Sequence, residues 1–111
     1  MNVCQKEIVL LPYPFSNLEG TKVRPAIIIS NDSFNQNSID CIMVPLTTII
    51  KEKPYSIIIN QKDLVSGELL KESRIRVDKI FTAEKSLIIM KIGVINNKTF
   101  DKIKEEIVKL F

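Results

Sequence analysis

Arg24, Arg74 and Arg76 are the only arginines in a chain that also carries thirteen lysines. A guanidinium is always charged, planar and forked, which suits it to phosphate oxygens. Scattered lysines usually supply solvated surface, so the arginines pose the sharper question. Arg24 directly precedes Pro25, and a following proline keeps its neighbour extended. It also follows a polar, glycine-containing loop and opens an aliphatic run. A cation at such a loop–strand junction is held in a fixed place. Thr47 and Thr48 end a second aliphatic run, Cys41 to Thr48, where one hydroxyl can face the same mouth. The plainer alternative is a surface ion pair between Arg24 and Glu19, with two ordinary strand threonines. Composition alone favours that alternative.

Other chemistries are excluded by residue type. The chain has no His, which removes every mechanism built on a histidine base, acid, nucleophile or metal ligand. Its two cysteines, Cys4 and Cys41, are far apart and form no CxxC motif. They are expected to be reduced, buried thiols. Net charge is +3 with a pI of about 8.9, which permits a nucleic-acid partner without requiring one. No signal peptide is evident in Met1 to Glu7, and charges interrupt every apolar stretch before membrane-spanning length. A soluble, cytoplasmic protein without membrane contact is expected.

These side chains need a scaffold. At 111 residues and 45% hydrophobic content, the chain fits a single domain over residues 1–111 that folds without metal or disulfide. Turn signals separate short runs rich in Ile and Val. Strands are expected at Ile8–Pro12, Arg24–Ser30, Ile39–Thr47, Tyr55–Asn60, Ser73–Phe81 and Leu87–Ile95. A short helical turn is expected around Ala83–Ser86. The alternation from Ser73 to Phe81 puts Ile75, Val77 and Phe81 on one side, with Arg74, Arg76 and Asp78 on the other. Phe100, Ile103, Ile107 and Leu110 follow helical spacing. They predict a helix over Lys98–Leu110, with Asn97 as N-cap and Glu105–Lys109 and Lys102–Glu106 as i,i+4 pairs. Five or six strands and a terminal helix predict a mainly β fold, a small barrel or sandwich.

Three segments in this order sharpen the reading: I-V-L-L-P-Y-P-F at Ile8–Phe15, E-G-T-K-V-R-P-A-I-I-I-S-N-D at Glu19–Asp32, and C-I-M-V-P-L-T-T at Cys41–Thr48. Joined to the later strand and terminal helix, they resemble the MazF/PemK family of toxin ribonucleases over nearly the whole chain. The resemblance implies a small SH3-like barrel of the CcdB/MazF/PemK type. It implies catalytic roles for Arg24 and Thr47, and for Glu19 in the loop over the site. Tyr13, Phe15, Thr48, Arg74, Arg76 and Lys79 are the expected RNA contacts, with Phe34 as a further stacking candidate. Lys79 departs from the Gln common in the family's later strand, and the loop Tyr13–Val23 lacks its usual G-S-E-Q string. Both differences bear on RNA sequence preference.

The implied reaction is metal-free cleavage of single-stranded RNA, with no cofactor. The substrate's own 2′-hydroxyl attacks the adjacent phosphate, leaving 2′,3′-cyclic phosphate and 5′-hydroxyl ends. Arg24 would stabilise the charge gained in the transition state, an effect of about 2.7–4 kcal/mol per donor. Thr47 would donate a hydrogen bond to a phosphate oxygen. The expected assembly is a homodimer whose RNA groove is blocked by the tail of a MazE-like antitoxin. Two alternatives remain: a CcdB-like gyrase-binding toxin of the same fold, and a non-catalytic RNA-binding relative.

Overall fold

The Ile- and Val-rich runs form strands because β-branched side chains pack well on a pleated, half-buried surface. The computed structural model describes residues 2–14 and 21–111, with the backbone alone at Tyr13, Pro14 and Thr21. Phe15 and Glu19 lie outside the described residues.

Among these residues there are eight strands: β1 (Glu7–Pro14), β2 (Thr21–Ile28), β3 (Asp40–Thr47), β4 (Ser56–Ile59), β5 (Leu64–Gly67), β6 (Ser73–Arg76), β7 (Phe81–Glu84) and β8 (Met90–Ile95). Two helices join them, α1 (Asp32–Asn37) and α2 (Asn97–Leu110). All strand pairs are antiparallel. The order is β4-β6-β3-β2-β1-β8-β5, with β7 also on β3.

That order forces the sheet to curl. β4 and β5 lie at its two ends, yet only Asn60 and a 3-10 turn at Gln61–Asp63 separate them in the chain. Seven strands laid flat would span about 29 Å from first to last. The chain from Ile59 to Leu64 reaches at most about 18 Å. Only a sheet bent most of the way round satisfies both, so the result is a half-barrel.

Each face of the sheet carries its own core. On one, Ile8, Ile27, Val44, Leu46, Ile75 and Ile95 pack with Phe100 and Ile103 of α2. On the other, Val9, Leu11, Ala26, Ile28, Cys41 and Met43 pack with Val3 and Ile88. Strand alternation divides them, since neighbouring residues of β1, β2 and β3 belong to opposite faces.

Several expectations change. The stretch Ser73–Phe81 is not one strand, because a 3-10 turn at Val77–Lys79 divides β6 from β7. Ile75 and Val77 are fully buried as expected. Phe81, displaced by the turn, joins the opposite core with Ala83. The helical turn expected at Ala83–Ser86 lies at Lys85–Leu87, after β7. The short β5 and the helix α1 were not expected as elements. On α2 the pairs formed are Lys104–Asp101 and Lys109–Glu106, at i,i+3 spacing.

The cap of α2 also moves by one residue. Asn96, not Asn97, accepts the Thr99 amide at 2.8 Å through its side chain. Asn97 Oδ1 instead accepts from Lys6 Nζ at 2.6 Å. Asn96→Ala should therefore cost about 1 kcal/mol in urea unfolding. Asn97→Ala should cost clearly less; the reverse ranking would contradict the cap seen here.

Cys41 is buried but Cys4 is exposed, which corrects the expectation of two buried thiols. Burial pushes the Cys41 thiol up, with the Lys85 cation pulling partly the other way. A raised thiol stays protonated in the fold while the unfolded thiol ionises above about pH 8.5. Its contribution to stability is therefore complete below that pH and declines as pH rises towards the folded value. A chromogenic disulfide reagent at pH 8 should titrate one thiol quickly and the second only on unfolding. Two fast thiols would contradict the burial.

Candidate active site

The β2–β3 ladder ends at a pair of prolines. Its recorded partners are Ile28 with Met43, Ile27 with Val44 and Ala26 with Pro45. Pro45 has no N–H to give, and neither does Pro25, the next residue of β2. On its other edge β3 pairs first with β7 and then with β6, where Leu46 faces Ile75 and Thr47 faces Arg74. The ladder thus opens into a mouth between the start of β2 and the end of β3. The same register, carried two residues past the last pair, would bring Arg24 opposite Thr47.

Both side chains belong to the sheet face opposite α2. Arg24 alternates in phase with Ala26 and Ile28, and Thr47 with Met43 and Cys41, all members of the core that excludes α2. Arg24 and Thr47 are each partly exposed. On the other edge of β2, Arg24 pairs with Leu11, and two residues further Lys22 pairs with Tyr13. The backbone of Tyr13 therefore borders the same mouth.

β6 brings the other two arginines alongside. Arg74, directly opposite Thr47, is only 5% exposed. Its Nε donates to the Ile49 carbonyl at 3.2 Å. The Ile49 N–H in turn donates to Thr47 Oγ1 at 3.1 Å. Arg76 faces Ser56 of β4 and meets Asp78 at 3.5 Å. Among the described residues, its buried Nε has no hydrogen-bond partner. Thr48 and Lys79 are exposed, Lys79 at the end of the 3-10 turn after β6. A shallow cavity of about 430 Å³ adjoins β4, lined by Lys51, Glu52, Lys53, Pro54, Ser56 and Ile58.

The structure thus brings Arg24, Thr47, Thr48, Arg74 and Arg76 to one end of the sheet. It does not bring Phe34 there. Phe34 sits on α1, in the connection between β2 and β3 at their opposite ends. Ile49 was not singled out from sequence, since its role rests on backbone atoms and an exposed isoleucine carries no chemical signal. Among the described residues, no group of three or more His, Cys, Asp or Glu is placed to hold a metal ion. No helix among them is long and apolar enough to cross a membrane.

A mouth edged by an extended arginine and a strand-end hydroxyl, with further arginines beside it, is suited to a phosphodiester. Solved structures share this fold at low identity. An endoribonuclease in complex with its cognate antitoxin from a Mycobacterial species is 20% identical, with a TM-score of 0.77 over 96% of this chain and 92% of that one. MazF in a MazE–MazF crystal structure from Deinococcus radiodurans is 17% identical, with a TM-score of 0.78 over 99% and 96%. The Mycobacterium tuberculosis toxin MazF-mt6 is 16% identical, with a TM-score of 0.71 over 91% and 93%. No curated protein matches significantly in sequence. The family model for the PemK-like, MazF-like toxin of type II toxin–antitoxin systems matches residues 5–111, and the chain belongs to that family.

Proposed function

We propose that this chain is a metal-independent endoribonuclease that cuts single-stranded RNA at a short recurring sequence. In the cell it would act as the toxin of its pair, inhibiting translation and growth by cutting mRNA. The observation that carries the reading is the β2–β3 register, which ends at Ala26 and Pro45 and, carried on by two residues, would set Arg24 across from Thr47. Family membership supports it, as do the endoribonucleases among the structures that share the fold.

The substrate supplies its own nucleophile. Its 2′-oxygen attacks the neighbouring phosphorus, the P–O5′ bond breaks, and the 5′-oxygen leaves as a hydroxyl, taking its proton from water. The 2′-proton passes to a base, for which Glu19 is the candidate. Holding the 2′-oxygen in line removes several kcal/mol of barrier without any protein nucleophile. Arg24 and the Thr47 hydroxyl stabilise the charge that gathers on the non-bridging oxygens. Arg76 contacts a neighbouring phosphate. Its side chain is about a third exposed, which leaves the guanidinium within reach of a substrate. Thr48 and Lys79 line the exposed rim. Tyr13 and Phe15 supply stacking surface for unpaired bases.

The active form is a homodimer, and a MazE-like antitoxin covers the groove. An acidic, extended antitoxin tail would suit a chain of net charge +3.

The test is incubation of antitoxin-free protein with a long single-stranded RNA in EDTA, with the product ends mapped. Recurrent cuts carrying 2′,3′-cyclic phosphate are the expected result. Intact RNA from folded protein would sink the reading and leave a binding toxin or an inactive relative.

A further inference from the structure

A threonine hydroxyl has one proton to donate and two lone pairs to accept with, and it rotates to suit its partners. For Thr47 to donate to a phosphate, that rotation has to be set before the substrate arrives. The Ile49 N–H sets it. It occupies a lone pair of Thr47 Oγ1 at 3.1 Å, which turns the hydroxyl proton away from the Ile49 backbone and leaves it free to donate.

The Ile49 amide needs its own support. Ile49 and Ile50 are exposed, and they follow the end of β3. A segment with so little burial does not fix its own peptide groups. The support comes from β6. Arg74 lies opposite Thr47 in the β3–β6 register, is 5% exposed, and donates Nε to the Ile49 carbonyl at 3.2 Å. Ile49 is thus held at both ends of its backbone, by Thr47 at the nitrogen and by Arg74 at the carbonyl. A charged donor makes the firmer kind of hydrogen bond.

We infer that Arg74 is a positioning residue for Thr47, acting through the backbone of Ile49 rather than by touching RNA. This rests on the ribonuclease reading of the Arg24–Thr47 pair. It separates the two arginines of β6 by role. Arg76, on the open side, meets phosphate. Arg74, buried, fixes the direction of a hydroxyl.

The experiment measures kcat and KM on a short RNA holding one mapped cut site, for the unmutated chain, Arg74→Met, Ile49→Pro, Thr47→Val and the Arg74→Met/Thr47→Val double variant. Binding to the same RNA with a 2′-deoxy nucleotide at the cut is followed against salt. Arg74→Met should lower kcat by about 100-fold, the cost of a misplaced reacting group. KM should stay within about threefold, because ground-state binding is untouched. Ile49→Pro removes the N–H, also fixes φ there and restricts Thr48, and leaves Arg74 in place, so it should reproduce the loss even if Arg74→Met fails to fold. In the Thr47→Val background, Arg74→Met should cost little more, because the group it positions is already gone.

A loss that persists in full without the Thr47 hydroxyl would overturn the inference. So would full activity in Ile49→Pro. A loss in KM with a salt slope shallower by about one would mean that Arg74 contacts phosphate directly. If the unmutated chain leaves the RNA intact, the ribonuclease reading fails first and this inference falls with it.

Discussion

Arg24→Ala is expected to slow RNA cleavage by about 100- to 1,000-fold while leaving the protein folded, as for loss of one fixed donor to a charged transition state. The side chain is partly exposed, and the aliphatic residues that follow it anchor β2 in both cores. Truncation therefore removes a charge without removing a core contact of comparable size. Binding of a 2′-deoxy RNA should weaken far less than the rate falls, since the developing charge exists only in the transition state. Arg24→Lys should recover part of the rate, because a point charge replaces the fork but not its geometry. The measurement is single-turnover cleavage with thermal unfolding of each variant alongside. Equal losses in rate and in deoxy-RNA affinity would make Arg24 a binding residue only.

Gly67→Ala should produce the largest loss of stability from adding a single methyl. Gly67 ends β5 with φ at +84°, a conformation that costs other residues about 1–2 kcal/mol. Space is the greater obstacle. A Cβ there would lie 2.1 Å from the Ile92 carbonyl oxygen and 2.4 Å from the Gly93 Cα, both backbone atoms that cannot swing aside. The variant has to lift β5 from β8 and give up the bond from Glu68 N–H to the Ile92 carbonyl, 3.1 Å here. A fall in Tm of about 10 °C or more is expected, with faster hydrogen exchange confined at first to β5 and its β8 partners. Gly93→Ala is the control. Its Cβ would also press on backbone, the Ser66 carbonyl oxygen at 2.9 Å, and on the flexible end of Leu64 at 2.9 Å, but without a positive φ, so a real but smaller loss is expected. An unchanged Tm in Gly67→Ala would mean that the edge strand is not packed as described.

The extended setting of Arg24 was legible because Pro25 follows it, and a proline restricts its neighbour wherever it sits. The proposed roles of Arg24 and Thr47 rest on the resemblance carried by three segments in order, since residue chemistry alone favours a surface ion pair and two ordinary strand threonines. The opposed faces of Ile75 and Arg74 were legible because a strand alternates with period two. What followed was not. The turn at Val77–Lys79 contains neither glycine nor proline, and nothing local announces it. β5 offers only Leu64 and Val65 as apolar residues, and Val65 is 66% exposed. An edge strand of that length is made by its neighbour, not by its own pattern. Asn96 and Asn97 have the same capping preference, and the end of β8 at Ile95 decides between them. The link from Arg74 to Ile49 joins residues 25 apart and exists only after β3 and β6 have paired. It is tertiary by nature and has no sequence signature.

The sheet closes its first strand with its last. β1 takes β2 on one edge and β8 on the other, and Lys6 reaches Asn97 at the start of α2, 91 residues away. A chain made from its N-terminus therefore cannot complete β1, or the core beneath α2, until β8 and α2 have left the ribosome. Contacts of such long sequence separation form late and slowly. For a member of a toxin family this has a consequence in time: the competent fold waits for β8 and α2, and a product cut short before them would have its central ladder unfinished.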